Sequence, residues 1–361
     1  VLAAARTAKP SRILVADDST FMRRLLTQAL RDAGFDVVGE AGDGDEALSL
    51  YRELRPDAMT LDLAMPGMDG IGVLRALRGE RSSLPVVVVS AFSPAHGARA
   101  VDALAEGAFD LVAKPAFGEP LEQFVAALRE KVTAAVVSAG AALVPAAAPA
   151  RRAGRAAVSG ASAAGRPRAR RAPAGSKKVV LIATSTGGPR ALAELIPALP
   201  SPLGAGGMIV QHMPAGFTAS LAQRLDRGAK LNVVEAAGGE ALKPDTLILA
   251  PGGSHLRLSD QGVARLTDEA AVGGLRPRAD LTIADAARLF GERLLLVVMT
   301  GMGKDGLEGA REVRARGGRI LAEAESSCTV YGMPRAVVEA QLADDVVPLG
   351  ELAEAIAGEV G

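Results

Sequence analysis

The sequence has no tryptophan and only two tyrosines, and aromatic residues make up 3% of it. A surface that stacks nucleic-acid bases needs aromatic faces, so this scarcity argues against one. The single cysteine, Cys328, rules out an internal disulfide framework and fits a reducing, cytoplasmic setting. Three histidines argue against a multi-histidine metal centre. The 41 basic and 41 acidic side chains cancel, so the chain lacks the net positive charge of a nucleic-acid binder. No apolar run reaches the length of a bilayer span, and no membrane insertion is expected. The stretch from Val1 to Arg12 has no long apolar core and does not read as a secretory signal.

What the chain does have is length for two domains, at 361 residues. The segment from Thr133 to Gly175 separates two patterned blocks; it is rich in Ala, Arg, Pro, Gly and Ser and holds no Asp or Glu. Residues 134–176 are therefore expected to be a flexible linker between domains at 11–133 and 177–361. The Ala- and Val-rich start, Val132 to Val144, extends the preceding helical pattern. Arg151, Arg152, Arg155, Arg166, Arg168, Arg170 and Arg171 make the linker basic. That charge either keeps it solvated or meets an acidic partner.

In the first block, Ile13–Ala16, Asp36–Gly39, Ala58–Leu61, Val86–Val89 and Phe109–Ala113 read as strands alternating with amphipathic helices. Gly34, Gly79 and Gly107 are expected to close helices. Alternation of this kind implies a parallel, doubly wound α/β domain whose chemistry gathers at the carboxyl ends of the strands. Asp17 and Asp18 follow the first strand, Asp62 the third, Ser90 the fourth and Lys114 the fifth. Clustered carboxylates repel unless a cation neutralises them, and hard oxygen ligands suit Mg²⁺. A lysine and a hydroxyl at the same edge can meet phosphoryl oxygens. Taken singly, each residue also reads as an ordinary loop or helix cap.

Together, Asp17-Asp18-Ser19, Leu61-Asp62-Leu63-Ala64-Met65-Pro66, Met68-Asp69-Gly70, Ser90-Ala91 and Lys114-Pro115 resemble the response-regulator receiver family over about residues 11–133. The resemblance implies phosphorylation of Asp62 by a histidine kinase. It implies Mg²⁺ held by Asp18, Asp62 and the Ala64 carbonyl with Asp17 nearby, and Ser90 and Lys114 as switch residues. Leu111 stands where many receivers carry Phe or Tyr, so switching by an aromatic rotamer is not expected.

The second block is again α/β. Expected strands are Val179–Ala183, Gly207–Gln211, Asn232–Glu235, Leu247–Ala250, Leu294–Met299 and Arg319–Ala322, with an antiparallel hairpin of Leu256–Leu258 and Val263–Leu266. Helices are expected over Arg190–Ala198, Thr218–Arg227, Leu281–Phe290 and Gly306–Arg316. Three strand ends carry chemistry. Thr184-Ser185-Thr186-Gly187-Gly188-Pro189 is a small-residue turn into a helix. It suits either an anion on the turn or Ser185 as an exposed nucleophile, and it lacks both the Gly-Lys pair of a P-loop and Gly-x-Ser-x-Gly spacing. Gln211-His212-Met213-Pro214 places His212 at the same edge as a candidate general base. His255 is a rival base, and His96 falls on a receiver helix, where a surface position is expected. Thr300-Gly301-Met302-Gly303-Lys304-Asp305-Gly306 offers Asp305, either to orient an imidazole or to cap the next helix. Its flexible backbone offers amides to an oxyanion.

Those strings, with Ala250-Pro251-Gly252-Gly253 and Gly332-Met333-Pro334, resemble the CheB family of chemotaxis methylesterases over about residues 177–358. The resemblance implies Ser185 as nucleophile, His212 as base, Asp305 as orienting acid, and the Thr186 and Met302 amides as oxyanion donors, with no cofactor for the ester chemistry. It implies chemoreceptor glutamate methyl esters, and also glutamines, as substrates. The histidine kinase CheA is the implied phosphodonor, and an unphosphorylated receiver is expected to obstruct the site. Three positions depart from the family: Ala183 where Gly is common, Thr184 where Ala is, and Arg278 in Arg276-Pro277-Arg278-Ala279-Asp280 where a small residue is usual. A receiver-gated scaffold, or a hydrolase acting on a non-chemotaxis receptor, is the alternative.

Overall fold

A computed structural model describes residues 9–91, 94–115, 121–142 and 177–360. The linker expectation for residues 143–176 lies outside the described residues, as does the side chain of His96.

In the first block β1 (Arg12–Ala16), β2 (Asp36–Ala41), β3 (Ala58–Leu61), β4 (Val86–Ser90) and β5 (Asp110–Ala113) alternate with α1 (Thr20–Asp32), α2 (Gly44–Leu54), α3 (Gly70–Gly79), α4 (Pro94–Ala105) and α5 (Leu121–Ala142). All pairs are parallel, in the order β2-β1-β3-β4-β5. The runs Ile13-Leu14-Val15-Ala16 and Val86-Val87-Val88-Val89 are buried throughout, as a parallel sheet covered by helices on both faces requires. Side chains start the helices: Ser19, Asp43 and Asp69 accept the amides of Met22, Glu46 and Gly72. Helix α3 ends at Gly79 as expected, and the left-handed turn that follows falls on Arg81, at φ +52°.

Helix α5 is 22 residues long and runs past the expected domain end at 133. Val132 and Ala135 are fully buried in the cluster that joins α5 to the receiver sheet, and Met302 and Val330 of the second block pack against that cluster. The helix continues because it has a second surface to cover; propensity alone sustains isolated helices poorly.

The second block contains β6 (Val179–Thr184), β7 (Gly207–Gln211), β8 (Asn232–Glu235), β9 (Thr246–Leu249), β10 (His255–Leu258), β11 (Ala264–Thr267), β12 (Leu294–Val298), β13 (Arg319–Glu323) and β14 (Asp345–Val347). Its helices are α6 (Gly188–Ala198), α7 (Phe217–Gly228), α8 (Ala279–Phe290), α9 (Leu307–Ala315), α10 (Met333–Glu339) and α11 (Leu349–Val360). Seven strands form a parallel sheet in the order β14-β13-β12-β6-β7-β9-β8, and β10 and β11 form the antiparallel hairpin. Strand β6 lies between β12 and β7. The three chemistry-bearing turns that follow these neighbouring strands therefore emerge side by side. No helix among the described residues is long and apolar enough to cross a membrane.

The blocks meet along α4, β5 and α5 of the first. Arg224 on α7 pairs with Asp102 on α4 at 2.5 Å, and Ser138 on α5 donates its hydroxyl hydrogen to the Thr329 carbonyl at 3.1 Å.

Candidate active site

Ser185 is the first residue past β6. Its amide donates to the Thr300 carbonyl at 3.0 Å, which ties the β6 and β12 turns together. Those turns fit only because glycines stand at the contacts. A Cβ on Gly188 would lie 2.0 Å from Gln211 Oε1, and one on Gly301 would lie 2.8 Å from Ser185 Cβ. Thr184, one of the family departures, sends its hydroxyl to the Thr300 carbonyl at 2.8 Å. The Thr184 hydroxyl thus adds a second tie between the two turns.

His212 follows β7. Its Nε2 lies 2.7 Å from Asp305 Oδ2, which leaves Nδ1 as the ring nitrogen free for chemistry. Asp305 is buried at the start of α8, where its carboxylate accepts the Ala279 amide at 2.7 Å and the Asp280 amide at 3.0 Å. Burial alone would raise its pKa. The His212 ring and those amides outweigh it and hold the carboxyl far below the usual carboxylate range. The favourable end of the α8 dipole acts in the same sense. Asp280 returns the arrangement, since its Oδ1 accepts the Gly306 and Gly309 amides at the start of α9. Each aspartate therefore caps the helix that the other begins.

His255 is not positioned as a base. It is fully buried. Its Nδ1 accepts the Arg278 amide at 3.2 Å, and its Nε2 lies 3.3 Å from the Ala270 carbonyl. Both ring nitrogens are spent on holding the segment that leads into α8. Cys328 lines a cavity of about 410 Å³ beside Gly187. Burial pushes its thiol far up, so it offers no competing thiolate.

Three residues that sequence reasoning gave no role shape the site. Gln211 Nε2 donates to the Ser185 and His212 carbonyls, both at 2.9 Å. Thr300 Oγ1 donates to the Thr186 carbonyl at 2.9 Å. The buried Glu323 accepts the Thr300 amide at 2.8 Å. The signal in the sequence was their place at strand ends; apart from the His212 carbonyl, their partners lie more than 20 residues away in the chain. Among the described residues, the amides of Thr186 and Met302 take no part in the backbone bonds that tie these turns together.

In the first block Asp17, Asp18 and Asp62 place carboxylate oxygens within 4.8 Å of one another. Lys114 Nζ spans the cluster, 2.7 Å from Asp17 and 2.8 Å from Asp62. Burial pushes the Asp17 carboxyl up despite the lysine. For Lys114 burial works the other way, but its two ion pairs outweigh it and hold the ammonium above its ordinary value. Three carboxylates, two of them buried, form a donor set that fits a hard divalent cation. Ser90 is buried at the end of β4, and the Ala64 residue is exposed beyond Asp62.

Comparison with known proteins agrees with this division. Residues 180–356 match the family described as CheB methylesterase, and residues 13–126 match the response regulator receiver domain. A protein-glutamate methylesterase/protein-glutamine glutaminase of Symbiobacterium thermophilum is 41% identical over 99% of both chains. A Myxococcus xanthus protein of the same description, numbered 5, is 43% identical over 94% of this chain and 95% of its own. The crystal structure of the Thermotoga maritima CheB methylesterase catalytic domain matches 51% of this chain and 98% of its own, at 42% identity and a TM-score of 0.49. With a receiver fused to a Ser-, His- and Asp-bearing α/β domain and whole-length relatives at this identity, the chain belongs to the CheB methylesterase family of response regulators.

Proposed function

We propose that this protein removes methyl esters from glutamates, and amide groups from glutamines, on chemoreceptors, under control of receiver phosphorylation. The observation that carries the reading is the Asp305–His212 pair at 2.7 Å on the turn beside Ser185. Ser185 Oγ attacks the ester carbonyl while His212 takes its proton on Nδ1. The Thr186 and Met302 amides stabilise the oxyanion. His212 returns the proton to the leaving group, which departs as methanol (ammonia from glutamine). Water, deprotonated by the same imidazole, then attacks the Ser185 acyl ester, and glutamate and the free serine are restored. None of these steps calls for a cofactor.

In the receiver, residues 11–133 in this reading, Asp62 accepts a phosphoryl group from a histidine kinase, with CheA as the family's donor. Asp18, Asp62 and the Ala64 carbonyl, with Asp17 adjacent, would hold Mg²⁺, which offsets phosphoryl charge. Lys114 and Ser90 would meet the phosphoryl oxygens. The segment 134–176 joins this domain to the catalytic domain at 177–361 in a soluble, cytoplasmic enzyme. The decisive test is methanol release from methylated receptor membranes by full-length protein with Mg²⁺ and a small-molecule phosphodonor. Ser185→Ala is expected to abolish it, and release that survives the substitution overturns the reading.

A further inference from the structure

Arg278 makes contacts that no step above uses. Its Nε lies 3.3 Å from Asp305 Oδ1, its Nη2 2.8 Å from Asp280 Oδ2, and its Nη1 donates to the Val272 carbonyl at 3.0 Å. Its side chain is 19% exposed, so these contacts are only partly screened. Its own amide is fixed by His255. The guanidinium is thus held at both ends and applied to the oxygen of Asp305 that His212 does not use.

We infer that Arg278 is a positioning residue for catalysis, one that fixes the Asp305 carboxylate and takes a share of its negative charge away from His212. The inference rests on the reading of Ser185, His212 and Asp305 given above. Asp305 has one formal charge to divide between two cationic partners once His212 is protonated. A guanidinium already on Oδ1 weakens the pull of Asp305 on the imidazolium proton. The imidazolium formed on His212 therefore gives its proton to the leaving group more readily than it would beside an unshared carboxylate.

The other charged groups around His212 are accounted for. The turn before α9 supplies Asp305 and the exposed Lys304, and the start of α8 supplies Asp280, which is paired with Arg278. Arg276 is turned to the Glu269 carbonyl. His255 from β10 reaches only the Arg278 amide and the Ala270 carbonyl. Asp110 and Lys131 from the receiver pair with each other beside Thr186. The β6 turn brings no titratable side chain. Among the described residues, Arg278 is the one lysine or arginine paired with Asp305.

The test is the pH profile of kcat/KM for methanol release by the full-length enzyme, with phosphodonor and Mg²⁺ saturating at every pH. Arg278→Gln is expected to move the acid limb upward by at least about half a pH unit, with kcat lowered and KM for receptor membranes little changed. Arg278→Lys, which keeps the charge, returns the limb toward the wild-type position. Arg278→Met serves as the second neutral variant, and whichever neutral variant melts like the wild type is the one read. A limb that stays in place with neutral variants, or a uniform loss at all pH values that Lys does not rescue, overturns the inference. Ser185→Ala is run alongside: its inactivity with an unmoved limb rejects the role of Arg278 alone, whereas its retained activity rejects the site.

Discussion

Thr186, the residue after the candidate nucleophile, donates its hydroxyl hydrogen to Asp110 of the receiver at 2.5 Å. Lys131 on α5 completes the contact, 2.6 Å from Asp110 and 3.2 Å from Thr186. The receiver thus holds the side chain of the residue whose amide is assigned to the oxyanion, and it does so from β5, the strand that Lys114 follows. Removing both receiver partners together, Asp110→Ala with Lys131→Met, leaves neither charge buried alone. We expect the double variant to raise methanol release without phosphodonor by about tenfold, within the usual range of coupling between sites. Basal activity that does not rise shows that this contact is not part of the restraint.

Phosphorylation of Asp62, as proposed above, would act on the other end of the same strand. Lys114 bridges Asp17 and Asp62, and a phosphoryl group on Asp62 would offer it stronger acceptors. Asp62→Asn is expected to leave basal methanol release within about twofold of wild type and to abolish the increase on adding phosphodonor and Mg²⁺. A full response in that variant rejects Asp62 as the control point.

Asp17 and Asp305 tilt stability with pH in opposite senses. Asp305, held below its ordinary value, binds fewer protons folded than unfolded. Its stabilisation is present above an unfolded pKa of about 4 and is lost as pH falls toward the folded value. Asp17 is held above its ordinary value, so folding favours its protonated form. That advantage is lost as pH rises through the raised folded value, and at neutral pH the charged Asp17 costs stability. Asp17→Asn is therefore expected to stabilise the receiver by about 1 kcal/mol at pH 7 in Mg²⁺-free buffer. The difference should fade as pH approaches about 4. Added Mg²⁺ should stabilise the wild type more than the variant. Urea denaturation followed on the receiver transition reads all three, and a variant less stable at pH 7 contradicts the argument.

Much of this was legible in the chain because parallel α/β folds send their chemistry to strand ends, which apolar runs mark plainly. Asp62 after Ala58–Leu61, His212 after Gly207–Gln211 and Asp305 after the β12 run all sit where the pattern put them. Strand β14 and helix α10 were not legible: β14 is three residues long with Val346 exposed, and α10 is seven residues long. Elements so short carry little periodicity to read. The retirement of His255 as a base was equally hidden, since it depends on the Arg278 amide and the Ala270 carbonyl, which are brought to it by folding. The extension of α5 past residue 133 was legible in the Ala- and Val-rich run from Val132, but the surface of the second block that it covers was not.

Gln211 shows how a residue with an unremarkable place in the sequence can set the site. One side-chain amide group holds both the Ser185 and His212 carbonyls, and so fixes the spacing between the candidate nucleophile and the candidate base. Gln211→Glu is nearly isosteric, but an ionised carboxylate has no hydrogen to donate and would face two carbonyl oxygens. Such an unsatisfied, buried contact costs about 1–3 kcal/mol or more. Gln211→Met removes the donor without adding charge, so it should separate loss of the bonds from repulsion. Both are expected to lower kcat for methanol release, Glu by about a hundredfold and Met by about tenfold, with KM for receptor membranes changed far less. Because the bonds position groups without touching substrate, a variant that raises KM at unchanged kcat would place Gln211 in the substrate surface instead.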